Sequence, residues 1–415
     1  MAFRFVHTAD LHLDSPLRSL ALRDAELAEL IGGASRMVLE RIVDLCLAEA
    51  VDALVIAGDL WDGDQRSVKT TAFFAKAMAR LQEAGIAVYI IKGNHDASAK
   101  VTRHADLPPN VHLFSVRGDT VRLDEAGVAV HGVSFRDKQG NESLLPRYPT
   151  PVEGLLNIGL LHTSLSGAEG HEPYAPCSLT DLTGFGYDYW ALGHVHKRQV
   201  HHEAPCVVMP GMPQGRDIGE EGAKSVTLVT MDQGPIRLEE RVVSLAEFVR
   251  AELDIGALGD WHDLESAISA ALLGAREMVQ SDHAVVRLRL NGAGPLAWRI
   301  RRDRELLMEH AMHSARALKT IWMEKIETGA PGGSARPDRG GEAGGPVDEL
   351  DRLMAELMAD PGCRREAGDL MDQLVKDLPP EVRDRFGEDE DGREEILGRL
   401  LTDGLADVSA VLRGS

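Results

Sequence analysis

Nine side chains of metal-ligating type stand just past runs that read as β-strands: Asp10, His12, Asp59, Asn94, His95, Asp96, His162, His194 and His196. Carboxylate, imidazole and amide oxygen are donors that suit divalent metals. A single histidine at a strand end is more often structural than ligating, but five separate segments ending alike point together to a metal centre. Two divalent ions ~3.5–4 Å apart need one bridging carboxylate, with imidazoles and an amide oxygen completing each shell. Asp59, in Gly58-Asp59-Leu60-Trp61-Asp62, is the best-placed bridge. Mostly neutral ligands leave such a pair net positive, which suits an anionic phosphate ester. The four cysteines, Cys46, Cys177, Cys206 and Cys363, have no CxxC spacing, which disfavours a structural zinc site.

Those side chains need strands to carry them. Phe3–Ala9 reads as a strand emptying into Asp10, and Ala53–Ala57 as a buried strand emptying into Asp59. A helix over Arg36–Ala50, with Ser35 as its N-cap, joins the two as a βαβ unit. A second helix over Ser67–Glu83 leads to a strand Ile86–Ile91 that ends in Gly93-Asn94-His95-Asp96. Further on the core is more β than α. Strands are expected at Val111–Phe114, Val128–Val133, Leu156–Leu161, Tyr189–Leu192 and Cys206–Met209, with a closing hairpin of Ser225–Thr230 and Ile236–Val243. From Ser244 a helix over Leu264–Met278, a strand Ala284–Leu290 and an amphipathic stretch Leu306–Lys325 predict a small α+β second domain. The segment 329–346, rich in glycine and proline, reads as a flexible linker. Apolar stripes from Val347 and from Ile396 predict helices beyond it, either self-packed or docking on another protein.

The 415 residues exceed one typical domain, and 44% hydrophobic with 27% charged residues is ordinary globular composition. No stretch reaches the roughly 20 apolar residues of a membrane span, and the N-terminus lacks the apolar core of a signal peptide. A cytoplasmic location with reduced thiols is expected, the cysteines serving as small core hydrophobes. A net charge of −21 argues against non-specific binding of polyanions. The charge is uneven: residues 346–415 hold 19 Asp and Glu against 9 Lys and Arg, an acidic module that need not touch substrate.

Taken in order, Asp10-x-His12, Gly58-Asp59-x-x-Asp62, Gly93-Asn94-His95-Asp96, His162 and Gly193-His194-x-His196 resemble the five-motif signature of calcineurin-like metallophosphoesterases. The neighbouring segments 9–16, 174–177, 189–194 and Pro213-Gln214-Gly215-Arg216 resemble the bacterial YhaO branch of SbcD-type DNA repair exonucleases. The resemblance is close over about residues 1–230 and loose beyond. It implies an α/β fold, a two-sheet β-sandwich flanked by helices, with a small α+β cap and a helical C-terminal segment. It divides the chain into a nuclease domain 1–243, a DNA-selecting cap 244–328, the linker and an acidic partner-docking segment 347–415. It implies a manganese pair, one ion on Asp10, His12, Asp59 and His196 and the other on Asp59, Asn94, His162 and His194. His95 would stabilise the transition state or protonate the leaving oxygen, with Asp96 orienting it.

The expected function is two-metal hydrolysis of DNA phosphodiesters in repair, as exonuclease or endonuclease, beside an SbcC- or YhaN-like coiled-coil ATPase; a homodimer is possible. A small-molecule or cyclic-nucleotide phosphodiesterase and a mainly structural subunit of an ATPase complex stay open. Asp62 reads as an acceptor for a ligating histidine or as a turn cap, the cap preferred. Gln214 and Arg216 read equally as phosphate contacts or a surface turn, His201 and His202 as solvated loop residues. Arg103, Arg136, Lys197 and Arg198 are basic groups that can line an approach for DNA, and His171 is undecided.

Overall fold

A computed structural model describes all residues except 1, 16–24, 63–67, 98–106, 137–141, 166–173, 233, 293–295, 329–345, 379–382, 384–385, 387–389 and 414–415. Arg103, His171 and nearly all of the expected linker lie outside the described residues. In chain order the elements begin β1 Phe3–Thr8, α1 Ala25–Ala48, β2 Ala53–Ala57, α2 Val68–Glu83, β3 Ala87–Ile91, α3 Asn94–Ala97, β4 Val111–Leu113, β5 Asp119–Leu123 and β6 Val128–Gly132. There follow β7 Leu156–His162, α4 Leu179–Thr183, β8 Tyr189–Gly193, β9 Gln199–Glu203, β10 Cys206–Met209, β11 Ser225–Met231 and β12 Arg237–Val242. The rest are β13 Ala246–Asp254, α5 Trp261–Met278, β14 His283–Asn291, α6 Ala297–Arg302, α7 Arg304–Ala317, β15 Ile321–Thr328, α8 Pro346–Ala359, α9 Pro361–Asp377 and α10 Glu390–Arg413.

The chain divides into two compact units, residues 1–250 with 274–287 and 320–324, and residues 251–273, 288–319 and 325–415. The first holds two six-stranded mixed sheets, ordered β12-β11-β1-β2-β3-β4 and β5-β6-β7-β8-β10-β9. Strands β1, β2, β3 and β4 run parallel in one, and β6, β7, β8 and β10 run parallel in the other, so their carboxyl ends share an edge in each sheet. Parallel strands covered on both faces read as continuous apolar runs. In β2, Ala53, Val55 and Ala57 face the core between the sheets with Phe5, Tyr89, Ile158, Leu160 and Tyr189. Leu54 and Ile56 face the other way, into a layer with Val38, Leu39 and Ile42 of α1 and Phe74 and Met78 of α2. On the outer side of the second sheet, Leu161, Trp190, Leu192 and Val207 pack under Tyr148, Leu182 and Tyr187. Each Val, Leu, Ile, Phe or Met side chain among them, once fully buried, contributes ~1.5–3 kcal/mol.

Several expectations are corrected. Helix α1 starts eleven residues earlier than a Ser35 cap allows, because Leu27, Ile31 and Ala34 extend its buried stripe through Gly32 and Gly33. Ser35 Oγ instead accepts the Asp14 N–H at 3.2 Å. Strands β5, β9 and β13 were not expected, being short of unbroken apolar residues, and His201 and His202 lie on edge strand β9 rather than in a loop. The stretch expected as one amphipathic run is helix α7 followed by strand β15, which closes a three-stranded sheet β13-β14-β15.

In the second unit helix α9 joins the two expected C-terminal helices. Met371, Val375 and Leu397 form a small core with Ala367, Ile396 and Leu401, and Arg364 pairs with Glu394 at 2.5 Å. Leu353, Leu357, Leu370, Leu374, Leu400 and Val408 stay exposed. No helix among the described residues is long and apolar enough to cross a membrane.

Candidate metal centre

Every one of the nine residues stands at the carboxyl edge of a parallel strand. Asp10 and His12 follow β1, Asp59 follows β2, Asn94–Asp96 follow β3, His162 ends β7, and His194 and His196 follow β8. Their backbone is tied edge to edge: Asp10 N–H donates to Gly58 O and His12 N–H to Asp59 O, both at 3.0 Å. Asp10, His12, Asp59 and His194 hold φ of 53°, 42°, 49° and 102°. Left-handed backbone costs a non-glycine residue on the order of 1–3 kcal/mol and persists where surrounding structure enforces it, often at functional sites. Two glycines make room for this. A Cβ on Gly58 would stand 2.6 Å from His162 Nδ1, and one on Gly93 would stand 2.1 Å from Asp59 Oδ1.

Among the described residues, ligand atoms of Asp10, His12 and His196 lie within 4.8 Å of one another, as do those of Asp59, His162 and His194, and of His12, Asp62 and His95. The donor set fits cations. His162 Nδ1 donates to the Ala57 carbonyl at 2.9 Å, so in the neutral ring Nε2 bears the lone pair, and it faces Asn94 Oδ1 at 3.0 Å and Asp59 Oδ2 at 3.3 Å. Three acceptors converge there and want a proton or a metal between them. Burial alone would lower the His162 pKa, but the Asp59 and Asp10 carboxylates push it up to about 9. Burial opposes ionisation of Asp59, yet His162, His12 and His95 hold its carboxyl well below the usual range. At the other end His12 Nε2 and His196 Nε2 face each other at 3.3 Å, and His12 Nδ1 is buried without a hydrogen-bond partner among the described residues. Burial lowers the His12 pKa to about 3, leaving its ring neutral, as a ligand must be.

Asp10 Oδ2 accepts the His194 N–H at 3.0 Å, and Asp59 Oδ1 accepts the His95 N–H at 3.0 Å, so both carboxylates also hold neighbouring loops. Asp96 does the same more fully, accepting from Trp61 N–H at 2.9 Å, Gly93 N–H at 3.0 Å and Leu60 N–H at 3.2 Å. It thereby joins the turns after β2 and β3. The carboxylate against the His95 ring is that of Asp62, with Oδ1 at 3.0 Å from Nδ1; Ser15 Oγ donates to its other oxygen at 2.6 Å. Asp62 is thus a partner of His95 rather than a turn cap.

Gln214 is neither a phosphate contact nor a surface group. It is buried, donating to Ala246 O and accepting from Leu245 N–H, which anchors the start of β13. Arg216 stands beside His196, and Glu220, which the sequence did not single out, touches both. The only sequence signal for that pair was its i, i+4 spacing. Arg198 is engaged with Thr227 and Glu240, while Arg136 and Lys197 are exposed. His7, one strand residue away, is structural: it bridges Tyr189 OH at 2.9 Å and Leu192 O at 3.0 Å, and burial lowers its pKa to about 3.

A family model described as calcineurin-like phosphoesterase matches residues 3–198, and one described as the metallophosphoesterase YhaO middle domain matches residues 248–329. The uncharacterized metallophosphoesterase YhaO of Bacillus subtilis (strain 168) is 30% identical over 393 residues, covering 91% of this chain and 96% of that one. The DNA double-strand break repair proteins Mre11 of Methanopyrus kandleri and Sulfurisphaera tokodaii are 25% and 28% identical, covering 51% and 48% of this chain and 49% and 50% of theirs. The match therefore spans about half the length of these two relatives. A relative matched almost end to end, and a family model laid over all nine converging residues, establish that the chain belongs to the calcineurin-like metallophosphoesterase family.

Proposed function

We propose that the chain is a manganese-dependent, two-metal phosphodiesterase that cleaves DNA in repair, working with a coiled-coil ATPase of the SbcC or YhaN type. The observation that carries the phosphodiester chemistry is the convergence of Asp59, Asn94 and His162 acceptors at 3.0–3.3 Å, next to the facing His12 and His196 rings. In this reading Asp10, His12, Asp59 and His196 hold one ion, and Asp59, Asn94, His162 and His194 the other. Bound there, the ions supply Lewis acidity that offsets charge developing on the phosphoryl oxygens. Neutral nitrogen with carboxylate and amide oxygen is a donor mixture that accommodates manganese.

His95 is the side chain left for proton work. With Nδ1–H held by Asp62, its Nε2 serves the departing ester oxygen, and general acid help of this kind is worth roughly 10²–10⁴-fold. Asp96 keeps the His95 turn seated on the Asp59 turn through its backbone bonds.

DNA as substrate is supported by relatives named for double-strand break repair, and the partner by exposed leucines on acidic C-terminal helices. Residues 244–328 are assigned as the cap that selects DNA ends and 347–415 as the docking segment. The net charge of −21 favours a second reading, a small-molecule phosphodiesterase, because an acidic surface repels a polyanion. Purified protein with manganese, assayed on labelled linear DNA and on an aryl phosphodiester, separates the two: cleavage of both supports the nuclease, and cleavage of the aryl ester alone supports the second.

A further inference from the structure

The segment after β10 brings a guanidinium to the rim of the metal centre. Glu220, its side chain 15% exposed, lies in a short turn opened by Asp217, whose carboxylate accepts the Gly219 N–H at 2.7 Å. Glu220 Oε1 stands 2.7 Å from His196 Nδ1. The same carboxylate takes Arg216 three times, Oε2 accepting its backbone N–H at 2.8 Å and its Nε–H at 3.5 Å, and Oε1 accepting from Nη2 at 3.1 Å. Arg216 Nη2 comes to 3.5 Å from His196 Nδ1. Its Nη1 edge has no hydrogen-bond partner among the described residues, and 27% of the side chain is exposed.

Two consequences follow from elementary chemistry. A carboxylate on Nδ1 fixes that nitrogen as the N–H donor and turns the lone pair of His196 to Nε2, the atom facing His12. A guanidinium beside a cluster that holds cations is repelled by them. Glu220 offsets that repulsion, and an arriving anion reverses it, since the free edge of a guanidinium matches a phosphate oxygen.

We propose that Arg216 contacts a non-bridging oxygen of the substrate phosphodiester, and that Glu220 is the positioning residue that holds both Arg216 and the ligand His196. This rests on the two-metal reading above and deepens it. Arg216 then contributes to binding the anion, and Glu220 to binding the metal as well.

The test compares wild type, Arg216→Gln, Arg216→Lys and Glu220→Gln by calorimetric titration with manganese, then by titration of the manganese-loaded protein with inorganic phosphate. KM and kcat are measured on an aryl phosphodiester, with thermal unfolding of each variant recorded. Arg216→Gln is expected to bind manganese at least as tightly as wild type, a repelling charge being gone, while phosphate affinity falls and KM rises roughly ten- to a hundred-fold; Arg216→Lys restores part of both. Glu220→Gln is expected to lose metal affinity roughly 10–100-fold, and adding Arg216→Gln to it worsens phosphate binding less than in the wild-type background. Unchanged phosphate affinity in Arg216→Gln, or full additivity of the two variants, overturns the inference. The phosphate titration reads it even if wild type cleaves no phosphodiester, a result that would sink the functional reading alone.

Discussion

At the residue scale the ligand types were legible because donors are few and their strand-end placement repeats, whereas the groups that tune them were not. Asp62 and Glu220 each pair with an imidazole across a turn, and nothing in local spacing distinguishes such a carboxylate from a cap. The Asp62 pairing predicts that Asp62→Asn keeps two bound ions but lowers kcat roughly ten-fold or more, as expected when a residue orients the acid rather than binding metal; metal analysis with single-turnover rates checks this. A loss of metal equal to the loss of rate would mean that Asp62 is a ligand. The His162 ring offers a second prediction. In the ion-free protein it stays protonated up to about pH 9, against an ordinary 6.5. A cation on Nε2 must displace that proton. Metal uptake at about pH 7.5 should then release protons, and apparent affinity should rise with pH until it levels near pH 9. Calorimetry in buffers of different ionisation enthalpy reads this directly, and binding without proton release would contradict the assigned tautomers.

At the element scale, the parallel strands were legible from their apolar runs because both faces of each are buried. Two of the strands the sequence missed, β5 and β9, are half exposed and interleave polar residues, so neither periodicity nor composition announces them. Edge geometry is where sequence and structure meet most tightly. Gly93→Ala should cost roughly 1–3 kcal/mol, because its Cβ would overlap Asp59, and should weaken metal binding with it. Gly127→Ala, at φ +69° with nothing within 4 Å, should cost on the order of 1 kcal/mol and leave metal binding intact. Thermal unfolding beside manganese titration distinguishes a strained edge from a merely less stable fold. Equal metal affinity in both variants would show that the Asp59 turn tolerates displacement.

At the scale of the whole molecule, the sequence separated a metal-bearing first half from an acidic helical end, but the third helix of that end, α9, escaped notice because Gly362 and charged residues dilute its stripe. Its Leu370 and Leu374 are 61% and 68% exposed, so replacing both with Glu should leave folding and hydrolysis unchanged while abolishing co-purification of an ATPase partner; retained co-purification would place docking elsewhere. Metal-dependent hydrolysis of DNA is tested by following manganese-dependent cleavage of linear single- and double-stranded DNA by wild type and His95→Ala, beside a small phosphodiester control. Wild type is expected to degrade DNA, and His95→Ala to bind the same metal but cleave roughly 10²–10⁴-fold more slowly. Turnover of the control alone, with DNA left intact by metal-loaded wild type, would contradict that expectation.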